Sequence, residues 1–478
     1  MQRLLRAGSL ALVATVTTAC AQDPAVEATA MLSDEQDIFD LQNRHADLDV
    51  TLNETNVKDL KHAWHFDTPA PVTHTPLVYE GHVYFGDWDG NMYAIDLNTG
   101  KKVWEKNLYQ PKKKWPWHGL AGTGAIAEVK GRDLLFEASV EGTAYALDPA
   151  TGEVAWKTPF TDHPLAGNVG SLLYHGGLLY IPVQSVAEPL SKKKDLPMNF
   201  RGKVVALNAT TGETVWETYT VDKPHNGAAV WSSFALDPEL GVLYFNTGNN
   251  YTGEATPLSD AMLAVDAKTG KIKWSDQVTS HDIWTMAEPK GPDYDFGAGP
   301  QLFEAEIDGE MRNLVGAGQK SGTFYVWDRE SGEPVWTTTV GYGNVGGGIH
   351  AEGSVGNGRI FLWGNNAYPY KNPKQHPMDI KAVDASSGKY LWVTPKAQPA
   401  LLTSAGYLAG DVYFVGSLDG QVRAYSAADG RKLWTSQPHG AVGSSLVFEE
   451  GTLLWGGSAP PRFGGTAKPN GVFAYQLP

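Results

Sequence analysis

NMYAIDLNTGKKVW, residues 91–104, is the stretch whose reading decides the fold. An alternating run up to Asp96 meets an Asp-x-x-Thr-Gly turn, and a second short run then closes on Trp104. Alternation at period two marks strands, and Asp with Thr-Gly punctuation marks a tight reversal between them. The same phrase returns as GTAYALDPATGEVAW, GKVVALNATTGETVW, AMLAVDAKTGKIKW, TFYVWDRESGEPVW, IKAVDASSGKYLW and RAYSAADGRKLW, ending at Trp156, Trp216, Trp274, Trp336, Trp392 and Trp434. An eighth tryptophan, Trp64 in DLKHAWHF, lacks the lead-in, and the lead-in recurs without its tryptophan in Asn470-GVFAYQLP. A repeat divided between the two ends of a chain is what a circular array needs in order to close.

Each unit adds an earlier hairpin, such as HVYFGD, Asp89-Gly90 and NMYAID, so one repeat amounts to a four-stranded meander. The expectation is an all-β protein, an eight-bladed β-propeller of four-stranded blades sealed by pairing of N- and C-terminal strands. Tryptophans lie 40 residues apart from Trp64 to Trp104, 42 from Trp392 to Trp434, and 52 to 62 between, so the middle blades carry insertions. Asp96, Asp148, Asp266, Asp328 and Asp384 share one slot, varied to Asn208 and Ser426, where a short polar side chain caps the turn. The regular tryptophans are expected to dock between blades as scaffold.

The chain has 478 residues, 42% of them hydrophobic and 19% charged, enough to bury a large core. A formal charge of −15 argues against nucleic acid or an anionic membrane as partner. Arg3 and Arg6 precede an apolar run, Leu10 to Val16, and Ala19-Cys20-Ala21, which predicts a signal peptide over 1–21 and a periplasmic or secreted protein. Thr17-Thr18-Ala19-Cys20 half-matches a lipoprotein box, so a lipid anchor at Cys20 is the alternative. Residues 22–49 are expected to be flexible and 50–478 to form the propeller. No other apolar run is long enough to cross a bilayer, and Cys20 is the sole cysteine.

The A-x-D-x-x-T-G-x-x-x-W phrase resembles the docking motif of pyrroloquinoline quinone (PQQ) propellers. Non-enzymatic relatives such as the outer-membrane assembly lipoprotein BamB share it, so the insertions must carry the function. Four of these look like the cofactor site of quinoprotein alcohol dehydrogenases. In Ser185-Val-Ala-Glu188 the resemblance implies a calcium ligand at Glu188, with Ser185 beside the cofactor. In AVWSSFALDPELGVLYFNTGNN it implies Trp231 as the floor under the quinone and Asn249 as a calcium ligand. Trp231 also falls outside the docking series, and a tricyclic quinone needs a flat aromatic partner while a hard cation needs oxygens. In SHDIW it implies Asp282 as the catalytic base and a metal ligand. Lanthanide-using relatives carry a second acid two residues on; that position is Trp284, which favours calcium. In GQKSGTFYVWD it implies Lys320 as the cation facing the quinone oxygens. Asn366 and Trp455, in late-blade loops, are further pocket candidates.

Other stretches, FRGKVVALNATTG and GPDYDFGAGP followed by VGAGQKSG, look closest to the polyvinyl alcohol dehydrogenase branch. The family's adjacent cysteine pair and nearby arginine are absent; Trp117-His118-Gly119 and Ala121-Gly122-Thr123 stand in that region. Without a C-x-x-C-H motif no haem c is attached, and electrons would pass to a separate acceptor such as a cytochrome c. The resemblance therefore implies PQQ- and calcium-dependent oxidation of a small-molecule or polymeric alcohol. The alternative is a non-catalytic BamB-like scaffold or binding protein of the cell envelope. Lys112–Lys114 and Lys192–Lys194 are read as solvated loops, with docking of an acidic electron acceptor as the alternative.

Overall fold

The computed structural model describes residues 41–109, 117–193, 195–343, 345–365, 379–394, 404–458 and 469–478. Eight blades, each a four-stranded antiparallel meander, follow one another; two gain a fifth short strand, and seven are drawn from one continuous stretch of chain. Blades 1 to 7 span 77–107, 125–159, 173–219, 235–277, 301–339, 354–393 and 407–435. Blade 8 joins Val447–Glu449, Thr452–Gly457 and Gly471–Gln476 to Lys61–Asp67, in the strand order that closes the ring. The expected eight-bladed architecture and its seam are therefore present. Among the described residues the one named helical element is a 3-10 turn at Val57–Asp59.

Burial runs radially. The third strand of blade 2, Thr143–Leu147, is buried throughout, whereas the outermost strand of blade 1, Lys102–Asn107, is largely exposed. Core side chains lie between neighbouring blades: Tyr180 and Val204 of blade 3 pack with Leu243 and Phe245 of blade 4. Such flat sheets offer two apolar faces each, and stacking them around an axis buries both.

The repeated phrase has a concrete job at each interface. Trp104 donates its indole N–H to the Pro149 carbonyl in the turn of blade 2, at 2.8 Å, and Trp216 donates to Ala267 in blade 4 at 3.1 Å. Under each ring sits the turn glycine of that same neighbouring blade. A Cβ on Gly152 would lie 2.7 Å from the Trp104 ring, and one on Gly270 would lie 2.5 Å from Trp216. Both glycines have positive φ, so the turn requires glycine twice over. The Asp slot holds the turn closed, as Asp96 Oδ1 does by accepting the Thr99 N–H at 2.8 Å.

Residues 41–49 depart from the expectation of a flexible segment. They run along the channel-facing edges of the inner strands. Leu41 accepts the Leu236 N–H of blade 4, Gln42 that of Leu302 in blade 5, Arg44 that of Val355 in blade 6, and His45 that of Leu408 in blade 7. Ala46–Asp47 then pairs in parallel with Tyr407–Ala409. An inner strand leaves one edge of unpaired backbone groups facing the axis, and this strap satisfies four such edges in turn. The signal peptide, Cys20, Lys112–Lys114 and Asn366 lie outside the described residues.

Candidate active site

In an up-and-down blade the loops after strands 2 and 4 fall on one rim. Three insertions of the middle blades occupy that rim: 186–202 in blade 3, 247–260 in blade 4, and 278–300 between blades 4 and 5. A cavity of about 510 Å³ opens among them and extends into the channel. Ser185, Glu188, Trp231, Asn249 and Lys320 all line it. These five sites, expected from separated motifs, are brought together.

Glu188 is the least satisfied of them. Its Oε1 is buried without a hydrogen-bond partner, although the carboxyl takes a backbone bond from Met286. Burial, and then the nearby Asp293, pushes this carboxyl up to about 8. Asn249 spends both side-chain donors on the Asn250 and Trp284 carbonyls, at 2.9 and 2.7 Å. Its amide oxygen is thereby left as the group to offer the cavity. Lys320 reaches 5.5 Å from the centre of the Trp231 ring and bonds Asp293 and Asp295 at 3.0 and 2.8 Å. Burial works to discharge Lys320, but Asp293 and Asp295 hold its ammonium above the ordinary lysine range. His350 stands 6.5 Å from Trp231 and is kept neutral, pushed down to about 3 by burial and by Lys320.

Asp282 is elsewhere. Its carboxylate accepts the Trp284 and Tyr294 N–H groups at 3.2 and 2.8 Å, and it is absent from the residues lining the cavity. It clasps the two halves of the 278–300 insertion, with Gly291 packed so closely that a Cβ would sit 2.4 Å from its Oδ1. The acid of this insertion that lines the cavity is Asp295, in GPDYDFGAGP. Asp295 Oδ1 accepts the Asn249 N–H at 2.8 Å, an approach that depends on Gly248, whose Cβ would lie 2.7 Å away. Asp293, two residues before it, is buried on the same lysine. The Asp-Tyr-Asp run at 293–295 is the sequence signal that marks this pair. This correction also removes the argument for calcium from Trp284, because the acids at Lys320 come as a pair.

Trp455 is corrected too. It is fully buried in the second strand of blade 8, stacked on Phe473 and Tyr475 at 5.7 and 5.3 Å. Strand alternation points it into the blade interface, and the cavity lining excludes it.

Among the described residues no three His, Cys, Asp or Glu side chains are arranged to hold a metal by themselves. The partnerless Glu188 oxygen, the Asn249 amide oxygen and the Asp295 carboxylate nevertheless make an oxygen donor set suited to a hard cation. Beside it, Trp231 offers a flat face with the Lys320 cation above. That pairing fits a planar, anionic ring system such as PQQ.

Residues 40–341 match the family described as glucose/ethanol/alcohol dehydrogenase, β-propeller domain. Residues 378–458 match a model described as outer membrane protein assembly factor BamB. A polyvinylalcohol dehydrogenase of Pseudomonas sp. is 29% identical over 80% of this chain, and one of Sphingopyxis sp. strain 113P3 is 27% identical over 80%. The chain spans 64% of the length of each. The solved quinohemoprotein alcohol dehydrogenase ADHIIG of Pseudomonas putida HK5 shares the fold, with TM-score 0.74 at 21% identity, over 91% of this chain and 79% of that one. No helix among the described residues is long and apolar enough to cross a membrane. With a model matched over well beyond half its length, the chain belongs to the glucose/ethanol/alcohol dehydrogenase β-propeller family.

Proposed function

We propose that this chain is a quinoprotein alcohol dehydrogenase that binds PQQ and a hard cation in the rim cavity. The observation that carries the reading is the buried Glu188 oxygen left without a partner beside Asn249, Asp295 and the Lys320–Trp231 pair. A propeller serving only as a scaffold has no use for that arrangement, because an unpaired buried polar atom costs about 1–3 kcal/mol. The BamB-like reading draws on the match at 378–458, whereas those five residues lie within 40–341.

PQQ, when bound, supplies the two-electron acceptor for alcohol oxidation. Trp231 would carry its ring, Ser185 would lie at its edge, and Lys320 would neutralise its oxygens. Glu188, Asn249 and Asp295 would hold the cation. Calcium satisfies such donors, and the second acid, Asp293, brings a trivalent lanthanide into contention as well. Asp295 is the group placed to take the substrate hydroxyl proton. Each of its oxygens already accepts one bond at 2.8 Å, Oδ1 from the Asn249 N–H and Oδ2 from Lys320, and these would orient the carboxylate toward the substrate hydroxyl. The polyvinylalcohol dehydrogenases support a secondary or polymeric alcohol as substrate. Electrons would leave to a separate acceptor such as a cytochrome c, in the periplasm or outside the cell.

The test is dye reduction by protein mixed with PQQ and either calcium or a lanthanide, over primary, secondary and polymeric alcohols. Saturable PQQ binding and turnover are expected, with turnover falling at least a hundredfold in Asp295→Asn. Failure to bind PQQ with either metal overturns the reading.

A further inference from the structure

Three tryptophans outside the docking series line the cavity: Trp231 from the connection between blades 3 and 4, and Trp88 and Trp117 from the rim around blades 1 and 2. Trp117 stands between blades 1 and 2 and Trp231 between blades 3 and 4, so the two aromatic groups enter the cavity from different sides. Between them the lining is largely polar or small, including Thr75, Thr123, Ser171 and Ser232. The cavity therefore has aromatic surface at two places and hydroxyls in the gap.

The second aromatic group is held firmly. Trp88 donates its indole N–H to Thr73 Oγ1 at 2.9 Å, and the Thr73 hydroxyl donates to the Ala121 carbonyl at 3.1 Å. Trp88 and Trp117 meet edge to face, with ring centres 6.3 Å apart and planes at 74°. The stretch that carries Trp117 is pinned on both sides of Gly119. The Leu120 N–H bonds the Asp87 carbonyl, the Gly119 carbonyl accepts from Val140, and the Gly119 N–H donates to Glu141 at 3.1 Å. Gly119, at φ +103°, lies so close to Trp88 that a Cβ would sit 2.4 Å from the Trp88 carbonyl oxygen. A rigid ring of this kind loses little freedom when a ligand stacks on it. Trp117 packs its buried part against the apolar clusters of the neighbouring blades and turns the remainder of its ring to the cavity.

We infer that Trp117, braced by Trp88, is the second stacking wall of the cofactor slot, working together with Trp231. This role suits a chain that lacks the cysteine pair of its relatives, because Trp117-His118-Gly119 occupies that region of the sequence. The inference rests on the quinoprotein reading and adds a residue to it.

Equilibrium titration of the full chain with PQQ and calcium, or a lanthanide if that is the metal bound, separates the two. Tryptophan fluorescence quenching and the PQQ absorption band are followed together. Trp117→Ala is expected to weaken PQQ binding about tenfold and to shift the bound absorption band, in line with the stacking strength of an aromatic pair. Trp117→Phe should restore most of the affinity, and Trp88→Phe should fall between, with all three variants keeping the wild-type circular dichroism. If Trp117→Ala misfolds, the Phe variants still decide, through the loss of quenching attributable to Trp117. Wild-type affinity and an unmoved band in Trp117→Ala overturn this inference alone. No binding by the unmodified protein overturns the quinoprotein reading and this inference with it.

Discussion

At the scale of single residues, the site holds more negative charge than it can settle. Glu188, Asp293 and Asp295 share one lysine, and Asp260 lies nearby, fully buried with both oxygens unpartnered. Burial, then Asp295, pushes the Asp260 carboxyl far above the carboxylate range. Glu188, raised to about 8, binds a proton in the folded metal-free protein over a pH range where the unfolded chain has released it. Stability must then fall as pH rises from about 4.5, the ordinary glutamate value, to about 8, and level off above. Glu188→Gln should flatten that fall and add about 1–3 kcal/mol to the metal-free protein at pH 8, as measured by denaturant titration. The same variant should lose metal binding in calorimetry. An unchanged fall in the variant would show that the carboxyl is satisfied in solution.

The elements show which parts of the site could be read in advance. Glu188, Trp231, Asn249 and Lys320, singled out by their resemblance to family motifs, all line the cavity, and each lies just beside a strand end. Asp295 and Asp282 were confused because both belong to the 278–300 insertion, where chain direction is set by clasping bonds to Trp284 and Tyr294 and has no periodicity to read. Trp455, expected in a late-blade loop, lies inside the strand Thr452–Gly457, where the face it presents depends on register with Gly471–Gln476. Trp117 carried no motif and emerges only from what surrounds it. At the blade interfaces the repeat predicts a sharp response. Gly270→Ala puts a methyl 2.5 Å from Trp216 at a backbone angle of +70°, and should cost about 2–4 kcal/mol in chemical denaturation. The same change at Gly241, with nothing within 4 Å, should cost only the conformational part, about 1 kcal/mol.

On the scale of the whole molecule, the ring is secured twice. Lys61–Asp67 zips blade 8, and the strap at 41–47 ties the inner edges of blades 4 to 7. The second device is hidden from sequence because QNRHAD has neither alternation nor a turn phrase; its four bonds to the inner strands run through backbone, and Asn43 adds bonds to the Pro300 carbonyl and the Gln301 side chain. A chain lacking residues 1–45 should keep its blades but lose slow amide exchange at Leu236, Leu302, Val355 and Leu408. Hydrogen exchange resolved to single amides checks this, and unchanged protection at those four would show that the strap is dispensable.

The stacking of each docking ring on the turn glycine next door carries a lesson for recombination. Neither partner belongs to one blade: Trp216 closes blade 3, while Gly270 and the Ala267 carbonyl that receive it belong to blade 4. A transplant cut at sheet boundaries would therefore separate every lock from its key. The cassette that could move between propellers runs from one tryptophan, past the following inner strands, to the glycine that seats it. Chimeras built on that offset frame should fold where blade-for-blade exchanges fail, and they could carry the blade 3 to 5 rim, with its acids and its lysine, into a new ring.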